Sequence, residues 1–264
     1  MGCPGPIRGV VGEQSGKTQD RGEVVPATDC VVACASVAPK GNKKYVALTF
    51  DEGPSGATKQ ILQVLKEKGV TATFFLSGDA AEASPAAAKA IVDAGCEIGS
   101  NSYSDDSLKG QDREAVREQI TKGTDAIKSA TGVKTMLLRA PYAAFDEQDW
   151  IDAMDLVSAV VSWNIDSGDW LLNGADEQVS TVLDSVTPGN IVLLTDRDEC
   201  AGQTLEALPQ IIDGLIADGY KIVTLSDLVK TDTSLSKKLT SLTKATMPKD
   251  AVFPQLAEDD DTTE

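Results

Sequence analysis

Three helical patterns in this sequence run up to a glycine, and an apolar run follows directly after Gly69, Gly95 and Gly219. A glycine just past the last helical turn takes the left-handed conformation that other residues resist. The same helix-to-strand joint is therefore predicted three times, which favours one repeating βα scheme. Such a scheme builds a parallel sheet or barrel with helical crossovers. The strand candidates are residues 45–50, 71–76, 97–99, 135–138, 157–163, 191–194 and 221–225. Ser55 is placed to cap a helix carrying Ile61, Leu62 and Leu65. Val116, Ile120 and Ile127 line a later helix, where Glu118 and Lys122 have the i,i+4 spacing of an ion pair. Leu205, Leu208, Ile212, Leu215 and Ile216 form the clearest apolar stripe.

These patterns divide the 264 residues into three parts. Residues 1–42 lack sustained periodicity and read as a flexible leader or linker. Residues 43–230 carry the βα pattern and make one domain. Residues 231–264 are an appendage, in which Leu235, Leu239 and Leu242 could line a short amphipathic helix before an acidic tail. There is no transmembrane candidate, because no apolar run approaches the length of a bilayer span.

The net charge of −17 opposes nonspecific attraction to nucleic acid or anionic membrane. The five cysteines, Cys3, Cys30, Cys34, Cys96 and Cys200, contain no CxxC pair. Cys30 and Cys34 could be bridged or could equally stay as thiols. The chain has no histidine at all. That excludes a Ser-His-Asp triad, a Cys-His pair, an imidazole general acid and any His-ligated metal.

In a parallel barrel the chemistry gathers where strands end and loops begin. Here five strand ends are polar: Asp51-Glu52-Gly53-Pro54, Ser100-Asn101-Ser102-Tyr103-Ser104-Asp105-Asp106, Arg139-Ala140-Pro141-Tyr142, Asn164-Ile165-Asp166-Ser167-Gly168-Asp169-Trp170 and Thr195-Asp196. Each alone reads as an ordinary turn or a solvated loop. Together and in this order they point to one functional rim.

Those five segments resemble the ordered motifs of the polysaccharide deacetylase family, the NodB homology or carbohydrate esterase family 4 domain. Residues 219–225 are similar to its last strand, so the resemblance runs from about residue 45 to residue 230. It implies a distorted (β/α) barrel of the α/β class. It also implies metal-dependent removal of N-acetyl or O-acetyl groups from chitin, peptidoglycan, xylan or a related glycan, in an extracytoplasmic, secreted or cell-surface setting. By position, Asp51 matches the family's catalytic base, and Glu52, Asn101 and Asp105 stand at the metal-ligand positions. Thr195 stands at that of the general-acid histidine. Arg139 with Asp166 or Asp169 matches the groups that orient and tune the base, and the Tyr142 backbone N–H an oxyanion donor. Tyr103, Tyr142, Trp163 and Trp170 are candidates for an apolar wall against a sugar ring, with barrel packing favoured for Trp163.

The departures alter the chemistry that the resemblance implies. Glu52 carries one methylene more than aspartate, and Asn101 offers only a neutral amide oxygen. Any cofactor would be an oxygen-ligated magnesium, manganese or calcium ion rather than His-ligated zinc, and the expectation is none. A threonine hydroxyl is far too weak an acid to protonate a leaving amine. The sequence therefore predicts a catalytically impaired module that binds an acetylated or cell-wall glycan or serves a structural role. The alternative is a hydrolase that removes N- or O-acetyl groups from a polysaccharide through a remodelled oxygen-ligand metal site, with an ester favoured as substrate. A third reading is a scaffold that captures protein through residues 1–42 and 231–264.

Overall fold

A computed structural model of the chain describes residues 43–232 together with Val37 and Pro39. The expected leader, the helix through Leu235, Leu239 and Leu242, and the Cys30–Cys34 question fall outside the described residues. Among these residues Cys96 and Cys200 are free thiols.

The strands are β1 (Tyr45–Asp51), β2 (Thr73–Leu76), β3 (Glu97–Ser100), β4 (Leu137–Leu138), β5 (Ala159–Val160), β6 (Ile165–Asp166), β7 (Ile191–Thr195) and β8 (Lys221–Val223). All pair in parallel in the order β5-β4-β3-β2-β1-β7-β6, with β8 beside the start of β1. The helices are α1 (Thr58–Lys68), α2 (Gly78–Ala83), α3 (Pro85–Asp93), α4 (Arg113–Thr131), α5 (Glu147–Ala153), α6 (Ala175–Ser185), α7 (Ala201–Ala217) and α8 (Leu225–Lys230). The result is the distorted (β/α) barrel that the βα repeat implied, a curled parallel sheet with helices packed on it.

Period-two alternation along β1 decides which residues reach the site. Val46, Leu48 and Phe50 join the layer beneath the helices with Ile61, Leu65, Leu208 and Ile212, and Phe50 stacks on Phe74 at 4.9 Å. Ala47 belongs to the opposite cluster, with Phe75, Val161 and Ile191. Thr49 and Asp51 share that inner face and therefore meet the residues of the barrel interior.

Gly69, Gly95 and Gly219 all have positive φ, at 67°, 76° and 82°, as the three joints required. Other local expectations need correction. Residues 157–163 are not one strand: β5 ends at Val160, and β6 forms only at Ile165–Asp166, inside what read as a loop. The backbone between them accepts hydrogen bonds from Arg139, so it crosses the barrel instead of extending the sheet. Ser55 is not the cap of α1, because the helix begins at Thr58 after Ala57, and the Ser55 hydroxyl donates to Asp196 at 2.7 Å. On α7 the buried stripe uses Ile211, while Ile216 is 47% exposed. Lys122 lies over the Tyr103 ring, 3.6 Å from its centre, and makes no ion pair with Glu118.

Candidate functional site

Asp51 ends β1 and faces Arg139, whose Nη1 donates to it at 2.7 Å. The guanidinium is 1% exposed. It also donates to the Thr49 hydroxyl at 2.7 Å and to the carbonyls of Val161 and Ser162 at 3.1 Å. Its carbon sits 4.1 Å from the centre of the Phe75 ring and 5.6 Å from that of Trp163. A buried cation is tolerable only with such full engagement. Burial raises the Asp51 carboxyl from 3.8 to about 6, against the lowering effect of Arg139 and with help from Asp169 and Asp166.

Glu52 follows at a positive φ of 72°, which turns its side chain away from that of Asp51. The loop beyond is held by Asp196, whose carboxylate accepts from the hydroxyls of Ser55 and Thr58 at 2.7 and 2.6 Å. Gly53 is required there, because a Cβ would stand 2.3 Å from Asp196 Oδ2. Glu52 Oε2 receives Arg197 Nη1 at 2.8 Å. Burial, with Asp105 adding to it, lifts the Glu52 carboxyl from 4.5 to about 7 in spite of Arg197. Glu52, Ser77, Asp79, Asp105, Asp196 and Arg197 contribute to the wall of a cavity of about 300 Å³.

The Asn101–Asp105 loop is fastened to α2, where the N–H groups of Gly78 and Asp79 donate to the carbonyls of Ser102 and Tyr103. Asn101 is buried and its amide donates to the Arg139 carbonyl at 2.9 Å. Asp105 accepts from the Tyr142 hydroxyl at 2.8 Å. That hydrogen bond, followed by burial, raises the phenol's pKa. Tyr142 and Ala143 take positive φ, at 59° and 53°, so Ala143 holds a conformation that suits glycine better.

Thr195 ends β7, and its N–H and hydroxyl both donate to Asp169 Oδ2, at 2.8 and 3.0 Å. Thr204 adds a third bond to that oxygen. Burial still raises Asp169, despite these bonds. Asp166 serves Trp170 instead, accepting from its indole N–H at 3.1 Å. Trp170 and Tyr142 are 45% and 67% exposed. Trp163 packs in the inner apolar cluster. Tyr103 is drawn to the helices, with its hydroxyl on Glu82 of α2 and its ring under Lys122 of α4.

Each of the three candidate ligand positions is engaged with a partner in the protein. Glu52 is held by a guanidinium, Asn101 uses its amide nitrogen on the backbone, and Asp105 accepts a hydrogen bond from a phenol. Among the described residues no three or more Asp, Glu or Cys side chains are grouped to hold a metal ion. Arg197 and Asp196 carry much of this arrangement, and sequence reasoning missed both roles. One signal was available: Arg197 is the lone cation in Asp196-Arg197-Asp198-Glu199, directly after the strand that ends at Thr195.

The sequence pattern of the polysaccharide deacetylase family matches residues 38–156. A bifunctional xylanase/deacetylase from Pseudobutyrivibrio xylanivorans is 37% identical over 71% of this chain, which spans only 31% of that protein. A peptidoglycan-N-acetylglucosamine deacetylase from Bacillus cereus is 33% identical over 81% of this chain and 79% of its own length. Among solved structures, a CE4 family pseudoenzyme from Bacillus anthracis superposes with a TM-score of 0.67 at 32% identity, over 71% of this chain and 66% of that one.

Proposed function

The chain belongs to the polysaccharide deacetylase family, and from that premise we propose that it binds an acetylated cell-wall glycan without hydrolysing it. The observation that carries this reading is the state of Thr195. It stands where the family resemblance places the general acid, and its hydroxyl is spent on the buried Asp169. A hydroxyl so held has no proton to give a leaving amine at neutral pH, and the chain has no histidine to take over. The binding parts are retained. Trp170 and Tyr142 present exposed aromatic surface, and Tyr142 is tied to the polar cavity through Asp105, a combination suited to a sugar ring with its hydroxyl and acetamido groups. Similarity to a CE4 family pseudoenzyme supports the reading, and similarity to a peptidoglycan deacetylase supports the glycan class and an extracytoplasmic location.

A second reading rests on Asp51. A buried carboxyl raised to about 6 beside a fixed guanidinium is a competent base at neutral pH. In that case the chain hydrolyses an acetyl ester, whose alkoxide leaving group needs less help from an acid. One experiment separates the two. Acetylated chitin, peptidoglycan and xylan oligomers are titrated calorimetrically, and acetate is assayed in the same samples. Saturable binding without acetate is the expected result. Acetate release that Asp51→Asn abolishes would replace binding by hydrolysis.

A further inference from the structure

Resting on the glycan-binding reading, we infer that the guanidinium of Arg197 takes the place of the family's metal ion, as a built-in cation that receives the acetyl oxygen of the bound glycan. Glu52 stands at one of the metal-ligand positions, and its Oε2 is occupied by Arg197 Nη1 at 2.8 Å. A metal ligated by the same oxygen at about 2 Å would lie no further than about 5 Å from that nitrogen. The fixed positive charge would repel it there and compete for the carboxylate. The other two positions compensate little: Asn101, whose amide nitrogen donates to the Arg139 carbonyl, has only a neutral oxygen to offer, and one oxygen of Asp105 already accepts from the Tyr142 hydroxyl.

Arg197 has capacity beyond this pair. A guanidinium carries five N–H donors and no acceptor. Nη1 serves Glu52, while Nε approaches Glu199 only at 3.7 Å, too far for a good hydrogen bond. The side chain is 41% exposed and lines the cavity of about 300 Å³. Its remaining donors match a neutral acyl oxygen, the group that a divalent ion would otherwise polarise. A free amino sugar has no acyl oxygen there, and in its protonated form its ammonium offers no acceptor at all. Arg197 therefore assigns the site to the acetylated form of a glycan, independently of metal.

Two arms test this on the full chain. In the first, thermal unfolding of wild type and Arg197→Ala is followed in EDTA and then with zinc, manganese, magnesium and calcium in turn. Wild type should not respond. Arg197→Ala should gain a saturable rise with one of these ions, and that rise should vanish in Arg197→Ala/Glu52→Gln. An equal response in both proteins, or none in either, overturns the replacement of metal by Arg197. In the second arm, the N-acetylglucosamine tetramer and its fully deacetylated form are titrated in EDTA. Wild type should prefer the acetylated tetramer, and Arg197→Ala should weaken its binding by about tenfold or more and erase the preference. Unchanged affinity in Arg197→Ala refutes the acetyl contact while leaving glycan binding intact. If neither tetramer binds wild type, glycan binding and the acetyl contact fail together, and the first arm still decides the cation.

Discussion

Arg139 places a full charge at 1% exposure and supports it with a carboxylate, a hydroxyl and two backbone carbonyls. Two of those partners, Val161 and Ser162, lie in the segment that crosses between β5 and β6, so this residue also shapes the barrel. Removing one member of a buried pair leaves the other uncompensated. Arg139→Met should therefore cost about 3–5 kcal/mol in urea unfolding. Asp51→Asn, which leaves the guanidinium its neutral partners, should cost less. Equal, small effects would show that the pair is not structural. From sequence, Arg139 was recognisable as the head of Arg-Ala-Pro-Tyr, but the carbonyls that hold it were not, since they depend on how a later segment crosses the barrel.

At the scale of elements, α4 shows how packing overrides propensity. Gly123 sits in the helix interior, where alanine would ordinarily add about 1 kcal/mol of stability. Here a Cβ would stand 2.5 Å from the Ser102 carbonyl and 2.8 Å from the Tyr103 nitrogen, and a Cβ on the facing Gly78 would stand 2.8 Å from the Gly123 Cα. The glycine lets α4 press against the loop that carries Asn101 and Asp105. Gly123→Ala should therefore lower the thermal midpoint, and any glycan affinity should fall with it as the loop is displaced. A higher midpoint with unchanged binding would mean that the helix and loop are not in close contact. Sequence periodicity found α4 through Val116, Ile120 and Ile127, all of them buried. It could not show that an unremarkable glycine marks the closest approach to the rim.

For the whole molecule, the dominant feature is acidity held inside as well as outside. Asp51 rises from 3.8 to about 6 and Glu52 from 4.5 to about 7, and Asp149, Asp169 and Asp196 move the same way through burial. The folded chain thus keeps protons that the unfolded chain releases, so these groups favour folding below about pH 4 and lose that effect as pH rises towards 7. Asp155, held down by Arg117, acts in the opposite sense and only at lower pH, where its protonation costs stability. Self-repulsion from a net charge of −17 adds to the loss at neutral pH. The thermal midpoint should consequently be several degrees higher at pH 5 than at pH 7.5, and salt should narrow the gap by screening the surface part. A midpoint that falls on acidification from pH 7.5 to 5 would contradict these shifts.

Much about this protein was determined by sequence alone, wherever a short-range rule applies. Helix ends at Gly69, Gly95 and Gly219 follow from one residue's freedom at positive φ, and β1's inner and outer faces follow from a period of two. The absence of imidazole chemistry follows from a count. Tertiary structure decided the partners of the charges. Glu52 meets Arg197, Asp105 meets Tyr142, Asp169 meets Thr195 and Thr204, and Asp196 locks the loop around Gly53. These pairs join residues on different strands and loops, and desolvation makes the buried ones, at Asp169 and Asp196, matter far more than they would in water. No local pattern encodes which distant side chain arrives, because that depends on where the curled sheet brings the loops together.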